Sequence, residues 1–269
     1  MMTKMLQAEM SEVKFRLLTI VPIVILLISC SAETKVHSDE KEVSKEIVPA
    51  LSYKVESDIY AQNNINITYP KLVDLPNDTK EEVINALIQA EAISILEYYS
   101  VGLDSQNSLE LDYQITYKSD KFLSIQYIGS AFNKGGAYPL NVFYTTNIDM
   151  DKEIKVKLTD FLEIDEAFVQ ELKNGIYKSY DDNLNLREEG VMRDFWSGTK
   201  DQDLLNDLKY ADEADGANNS GIFSYLTQDS LGISLSIPHA LGDHLEMEIG
   251  YEKLGGNIKE NRLWDSIRG

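Results

Sequence analysis

The sequence predicts an α+β protein in which antiparallel sheet packs with two or three helices. Three observations carry that reading. Strict apolar/polar alternation recurs between residues 53 and 251, helical spacing of apolar residues interrupts it, and turn-like dipeptides separate consecutive strands. The 269 residues are 43% apolar and 26% charged, the texture of a globular chain that can bury a core. No period of 20–50 residues recurs, which argues against a repeat architecture.

In chain order, Tyr53, Val55, Ser57 and Ile59 alternate with polar neighbours and predict a half-buried strand. A turn near Gln62-Asn63 leads to a second strand with Ile65, Ile67 and Tyr69 on one face, which Pro70 is expected to end. Thr79 and Glu82 have capping-box spacing. Behind them Val83, Ile84, Leu87, Ile88, Ile95, Leu96 and Tyr99 make one apolar stripe, with Gly102 as the stop. Leu109, Leu111, Tyr113, Ile115 and Tyr117 then alternate without error, and Ser119-Asp120 turns the chain into a strand bearing Leu123, Ile125 and Tyr127. After Gly135-Gly136 a further strand is expected from Tyr138 to Ile148.

Phe168, Leu172, Ile176 and Tyr180 fall at successive i+4 positions and predict a helix over 165–180, with a shorter one near 201–209. Strands return at Ile222–Leu226, Leu231–Ile237 and Leu245–Tyr251. The expected organisation is a signal segment (1–29), an acidic tether (30–49), two α+β subdomains (50–150 and 151–256) and a polar tail (257–269).

The first thirty residues read as an address. Lys14 and Arg16 precede an apolar run from Leu17 to Ile28, which is shorter than the roughly 20 residues of a spanning helix and suits a secretory signal. It ends in Leu27-Ile28-Ser29-Cys30, which resembles the lipobox of bacterial lipoproteins, where cleavage precedes a cysteine that becomes lipidated. Cys30 is the one cysteine in the chain, so a disulfide framework is excluded. Glu9 and Glu12 are out of place in such a signal, and a start at Met10 gives a cleaner one.

Residues 1–29 hold three basic and two acidic side chains, so removing them takes the formal charge from −20 to −21. That charge argues against nucleic acid or an anionic membrane surface as a direct partner. The tether beyond Cys30 reaches on the order of 60 Å when extended. Together these features place an acidic head on the extracytoplasmic face of a bacterial membrane.

Candidate chemistry is sparse. His37 falls in the tether, and His239 and His244 share a stretch with Asp243 and Glu246. Their five-residue spacing fits no one-face ligand arrangement, so two solvated loop histidines are the better reading. The run from Asp181 resembles a calcium loop but has Leu186 and Met192 where Gly and Glu are needed. Asp212-Glu213-Ala214-Asp215-Gly216 reads as an acidic, solvated turn. No serine lies in a Gly-x-Ser-x-Gly elbow, and Gly135-Gly136-Ala137 lacks the Lys of a phosphate loop. No catalytic residue, metal or cofactor is assigned. The candidate binding surface is Phe132, Gly135, Gly136, Tyr138, Tyr144 and Trp196: the aromatics suit stacking on sugars or contact with a partner, with sheet or core packing as the competing role. Trp196 is expected in a loop beside Phe195, and Trp264 in the polar tail.

Three stretches carry a family resemblance across residues 50–254. The first is Ile67-Thr68-Tyr69-Pro70-Lys71-Leu72 with Val83-Ile84-Asn85-Ala86-Leu87-Ile88. The second is Leu123-Ser124-Ile125-Gln126-Tyr127 with Gly135-Gly136-Ala137-Tyr138-Pro139, Asn147-Ile148-Asp149 and Leu158-Thr159-Asp160-Phe161-Leu162. The third is Phe223-Ser224-Tyr225-Leu226-Thr227 with Leu231 and Gly250-Tyr251. Together they resemble the extracytoplasmic domain of unknown function shared by RsiV-type anti-sigma factors and PdaC-type peptidoglycan deacetylases. Two positions depart from the pattern: Tyr138 stands where His is common, and Ile249-Gly250-Tyr251 replaces an Ile-Pro-Tyr.

The resemblance brings no deacetylase domain, no sigma-binding segment and no catalytic residues; it implies a cell-envelope setting. The expected function is therefore a surface-anchored, non-catalytic binding or sensing module. Its partners would be the membrane, through the lipid, and a basic wall-active protein such as lysozyme or a peptidoglycan fragment. An envelope scaffold and a wall hydrolase are the alternatives.

Overall fold

The computed structural model describes residues 51–179, 185–187, 190–213, 220–260 and 262–268. The expected signal at 1–29 with its cleavage residues Leu27, Ile28 and Ser29, Cys30, the tether with His37, and Asp181 to Leu184 lie outside the described residues.

The chain is α+β. One sheet holds six strands in sequence order: β1 (Lys54–Gln62), β2 (Ile65–Val73), β3 (Ser108–Lys118), β4 (Phe122–Phe132), β5 (Leu140–Asp149) and β6 (Ile154–Val156). The other runs β7 (Ile176–Lys178), β10 (His244–Gly250), β9 (Ser230–Ser236), β8 (Ile222–Leu226). All pairs are antiparallel except β2 with β3, which pair in parallel over Ile65–Ile67 and Leu109–Leu111. The exception follows from the connection between them. Helix α1 (Asp78–Tyr98) crosses over the sheet and returns the chain in its original direction.

Helix α1 starts two residues earlier than the capping-box spacing suggests. Asn77 is the N-cap and accepts from the Lys80 amide at 3.1 Å. Ile84, Ile88, Ala92 and Ile95 form its buried face against β2 and β5. Pro70 does not end β2, which runs on to Val73. The Leu72 amide and carbonyl both bond the Asn85 side chain at 2.8 Å, so they point away from β1. Pro70 shares that orientation, on a side where pairing with β3 has already ceased, so its missing N–H costs no ladder bond.

The expected 165–180 helix is shorter. Helix α3 (Glu166–Lys173) is capped by Asp165, and Gly175 then lies so close to β10 that a β-carbon would stand 3.0 Å from the Glu248 carbonyl. The chain leaves the helix there and pairs as β7, with Ile176 61% exposed. Trp196 sits not in a loop but on helix α4 (Val191–Gly198), half-buried, with the Lys173 Nζ 5.8 Å from its ring centre. Helices α2 (Leu158–Phe161) and α5 (Asp201–Leu208) complete this layer. The stretch 257–269 is not a polar tail: helix α6 (Arg262–Arg268) buries Leu263, Trp264 and Ile267, and the Trp264 Nε1 donates to the Phe161 carbonyl at 2.7 Å. Among the described residues no helix is long and apolar enough to cross a membrane.

The error-free alternation of residues 109–117 conceals a bulge. Ile115 pairs with Ile125, but Tyr117 pairs with Ser124, leaving Thr116 as the extra residue. The slip turns Tyr117 to the opposite face, where it joins Phe122 in the core beneath the second sheet and donates to the Ile267 carbonyl at 2.6 Å.

The two sheets meet along β8, whose outer edge has no strand beside it among the described residues. Side chains take the place of that strand. Asp212 accepts from the Ser224 amide at 2.7 Å, the Ser224 hydroxyl at 2.6 Å and the Leu158 amide at 2.8 Å. Thr145 and Asn147 of β5 donate to the Ser224 carbonyl at 2.6 and 2.9 Å, and Ser124 of β4 accepts from the Leu226 amide at 3.0 Å. Asp212, expected in a solvated turn, is thus 2% exposed. Burial pushes its carboxyl up from the usual range, and the Ser224 and Leu158 bonds oppose that shift.

Replacing Asp212 by Ala strands three donors and should cost about 3–5 kcal/mol in urea unfolding of residues 49–269. Because its folded value is raised, Asp212 contributes most below the ordinary Asp range, and that contribution falls as pH rises through the raised value. Asp165 has the opposite sign. The Phe168 amide and Asn257 bonds hold it low, so its contribution is present above the ordinary range and is lost as pH falls through the lowered value. Stability measured against pH for Asp212→Asn and Asp165→Asn should deviate from the parent in these opposite directions.

Candidate functional site

A cleft of about 200 Å³ opens beside the seam, where the end of α1 meets the first residues of β5, β8 and β10 and the last of β9. Its aromatic lining is Tyr98, Tyr99, Phe143 and Phe223, of which the two phenylalanines are buried. The Tyr98 ring packs edge-on to Tyr99 at 4.7 Å and to Phe223 at 5.1 Å, and Phe143 lies 4.9 Å from the His244 ring. Asn141, Ser234, Ser236, Asp243 and His244 supply its polar lining.

This half of β5 is also an open edge, because β6 pairs only with Asn147–Asp149. The Tyr99 hydroxyl closes it by accepting from the Phe143 amide at 3.0 Å and donating to the Phe143 carbonyl at 2.9 Å. Burial raises the Tyr99 phenol well above its ordinary pKa, which keeps it protonated for that donation. The Asn141 amide donates to Asp243 Oδ2 at 2.8 Å. Asp243 adopts a left-handed backbone (φ 72°) after Gly242, and the tight turn points its carboxylate back at β5.

The two histidines part company. His239 stays at the surface, as expected, with Nδ1 2.9 Å from Asp243 Oδ1 and its ring stacked 6.0 Å from Tyr138. His244 is not a solvated loop residue. It is 5% exposed at the start of β10, with Nε2 3.4 Å from Glu246 Oε1. Glu246 is buried as well, and the Tyr225 hydroxyl lies 3.1 Å from its Oε2 and 3.3 Å from Glu248 Oε1. Burial raises the Tyr225 phenol, and the charges of Glu246 and Glu248 raise it further, so it serves as a hydrogen donor. Gly232 makes room for this group, because the Tyr225 ring occupies the space where a β-carbon would be. Among the described residues no set of three His, Cys, Asp or Glu is placed to hold a metal ion.

The residues expected to form a binding surface separate. Phe132 ends β4, and Gly135, Gly136 and Tyr138 fall in the β4–β5 connection; Gly135 turns with φ 88°, and Tyr138, 69% exposed, stands beside the cleft through its stacking on His239. Tyr144 belongs to the core and does not line the cleft: its ring is fully buried, and its hydroxyl donates to Glu91 at 2.9 Å and accepts from Lys155 at 3.2 Å. Trp196 lies apart from these residues, on α4. Sequence reasoning missed Tyr98, Tyr99, Asn141, Phe223, Ser234 and Ser236 as cleft residues. The paired tyrosines at the end of α1 were the available signal.

Placing Val at Gly232 should displace the Tyr225 ring from Glu246 and Glu248 and cost about 1–3 kcal/mol by overpacking. Thermal unfolding would show the loss, and Tyr225→Ala in the same background should recover part of it.

No family model matches the chain, and no curated protein matches it. Among solved structures it is similar to a DUF3298 family member from Bacteroides fragilis, at 16% identity over 81% of this chain and 98% of that one, with a TM-score of 0.48. It is also similar to a DUF3298 family protein from Pseudomonas aeruginosa, at 18% identity over 79% of this chain and 96% of that one, with a TM-score of 0.45.

Proposed function

We propose that this chain is a non-catalytic extracytoplasmic lipoprotein, anchored through Cys30, whose folded head binds a saccharide of the cell wall. The lining of the cleft carries that reading. A pyranose ring has an apolar C–H face and a hydroxyl edge, and the cleft offers aromatic walls with amide, hydroxyl and carboxylate groups between them. Tyr138 adds an exposed ring at the rim. A second reading, a basic wall-active protein as partner, draws on the charge of −20 and on exposed carboxylates such as Glu56, Glu110 and Asp112.

Two measurements test these readings. Fatty-acid labelling and membrane fractionation should show the parent in the membrane and Cys30→Ala unlabelled and released; equal labelling of the two removes the anchor. Calorimetric titration with muropeptides and N-acetylglucosamine oligomers should show binding that Ser236→Trp lowers at least about tenfold by filling the cleft. Its melting temperature should move by no more than about 2 °C, since Ser236 is exposed. Binding of a basic muramidase that weakens with salt but ignores Ser236→Trp would favour the second reading.

A further inference from the structure

Ser234 differs from the other polar residues that line the cleft beside the seam. It lies within β9, directly across from Phe223 of β8 and from Glu246 of β10, so the three side chains share one face of the second sheet. Ser234 is 1% exposed and lines the cleft. Its hydroxyl takes part in no hydrogen bond among the described residues, and the neighbouring Glu246 is engaged by Tyr225 and His244 instead. The other buried serines, Ser124, Ser224 and Ser230, are each hydrogen-bonded through their hydroxyls. A buried hydroxyl without a partner costs the fold stability, because its bonds to water are lost and none replaces them. Here the hydroxyl borders a cleft, where a ligand can supply the missing bond.

Asp243 lines the same cleft, with its side chain 13% exposed. The Asn141 amide and the His239 ring occupy two of the roughly four lone-pair sites of its carboxylate, which leaves room for a further donor. It stands three residues before Glu246, the cross-strand neighbour of Ser234, and is therefore about 10 Å from Ser234 along the strand direction. An amide that donates at one end and accepts at the other spans about 8 Å between its two partners. Side chains that reach into the cleft make up the difference. The rings of Phe143 and Phe223 add apolar lining. One N–H, one C=O and a small apolar end are the three parts of an acetamido group.

We infer that the cleft selects an acetamido sugar, with Ser234 donating to the acetamido carbonyl, Asp243 accepting from its N–H and Phe223 meeting its methyl. This rests on the saccharide reading above and names the class of sugar. A plain hydroxyl at the same ring position is too short to reach both partners, so it leaves the buried serine unpaired.

The β-1,4-linked trimers of N-acetylglucosamine and of glucose differ in that substituent alone, and neither carries a charge. Calorimetric titration of the full chain should show the acetylated trimer bound at least about tenfold more tightly. Ser234→Ala should lower its affinity to that of the glucose trimer and leave the glucose trimer unchanged. Ser234→Cys, which keeps the side chain but donates weakly, should do the same. Because the fold makes no bond with this hydroxyl, the melting temperature of Ser234→Ala should equal or exceed that of the parent.

Equal affinity for the two trimers, with Ser236→Trp still lowering both, would overturn this inference and leave the saccharide reading standing. A preference that survives Ser234→Ala or Ser234→Cys also overturns it. So does a melting temperature of Ser234→Ala more than about 2 °C below the parent, which would give the hydroxyl a role in the fold. If neither trimer binds, both fall.

Discussion

The architecture depends on how the unpaired edge of β8 is satisfied. A strand whose outer amides and carbonyls face a protein interior must find partners there, since each stranded group costs on the order of a hydrogen bond. Here the partners come from three elements of different sequence origin: Asp212 after α5, Ser124 on β4, and Thr145 with Asn147 on β5. The two sheets therefore do not merge into one, and they do not slide over one another as apolar faces could. Directional bonds fix their relative position, and that position creates the cleft beside them.

The same device recurs around the cleft itself. Tyr99 and Asp243 close the free half of β5, so two of the lining residues are structural before they meet any ligand. The cleft is organised by the fold itself. Two of its wall residues are held by bonds to the β5 backbone. Tyr138 and His239 differ, standing at the rim with little beyond their own stacking and the Asp243 contact to hold them.

Much of the fold was legible in the sequence because it depends on local periodicity. The stripe of α1, the alternation of Leu231 to Leu235 and of Leu245 to Ile249, and the class α+β all follow from spacing. What escaped was decided at a distance. Thr116 is an ordinary member of an alternating run, and only the need to place Tyr117 against α6 reveals the bulge. Ile176 continues a helical pattern by coincidence, and the close approach of Gly175 to β10 overrides it. His244 and Asp212 look solvated because their neighbours in sequence are polar, while their neighbours in space are Phe143 and Ser224. The candidate site is assembled from chain ends of five elements, and no single segment announces it.

The seam also has a kinetic meaning. Hairpins β3–β4 and β4–β5 form from neighbouring residues, whereas the bonds that tie β8 to β4 and β5 join positions 77 to 102 residues apart. Long loops are costly to close, so this contact order delays the seal until most of the chain is in place. Until then the β4- and β5-facing groups of β8 are open to any other strand nearby, and that is the interval in which a chain of this design is most exposed to aggregation.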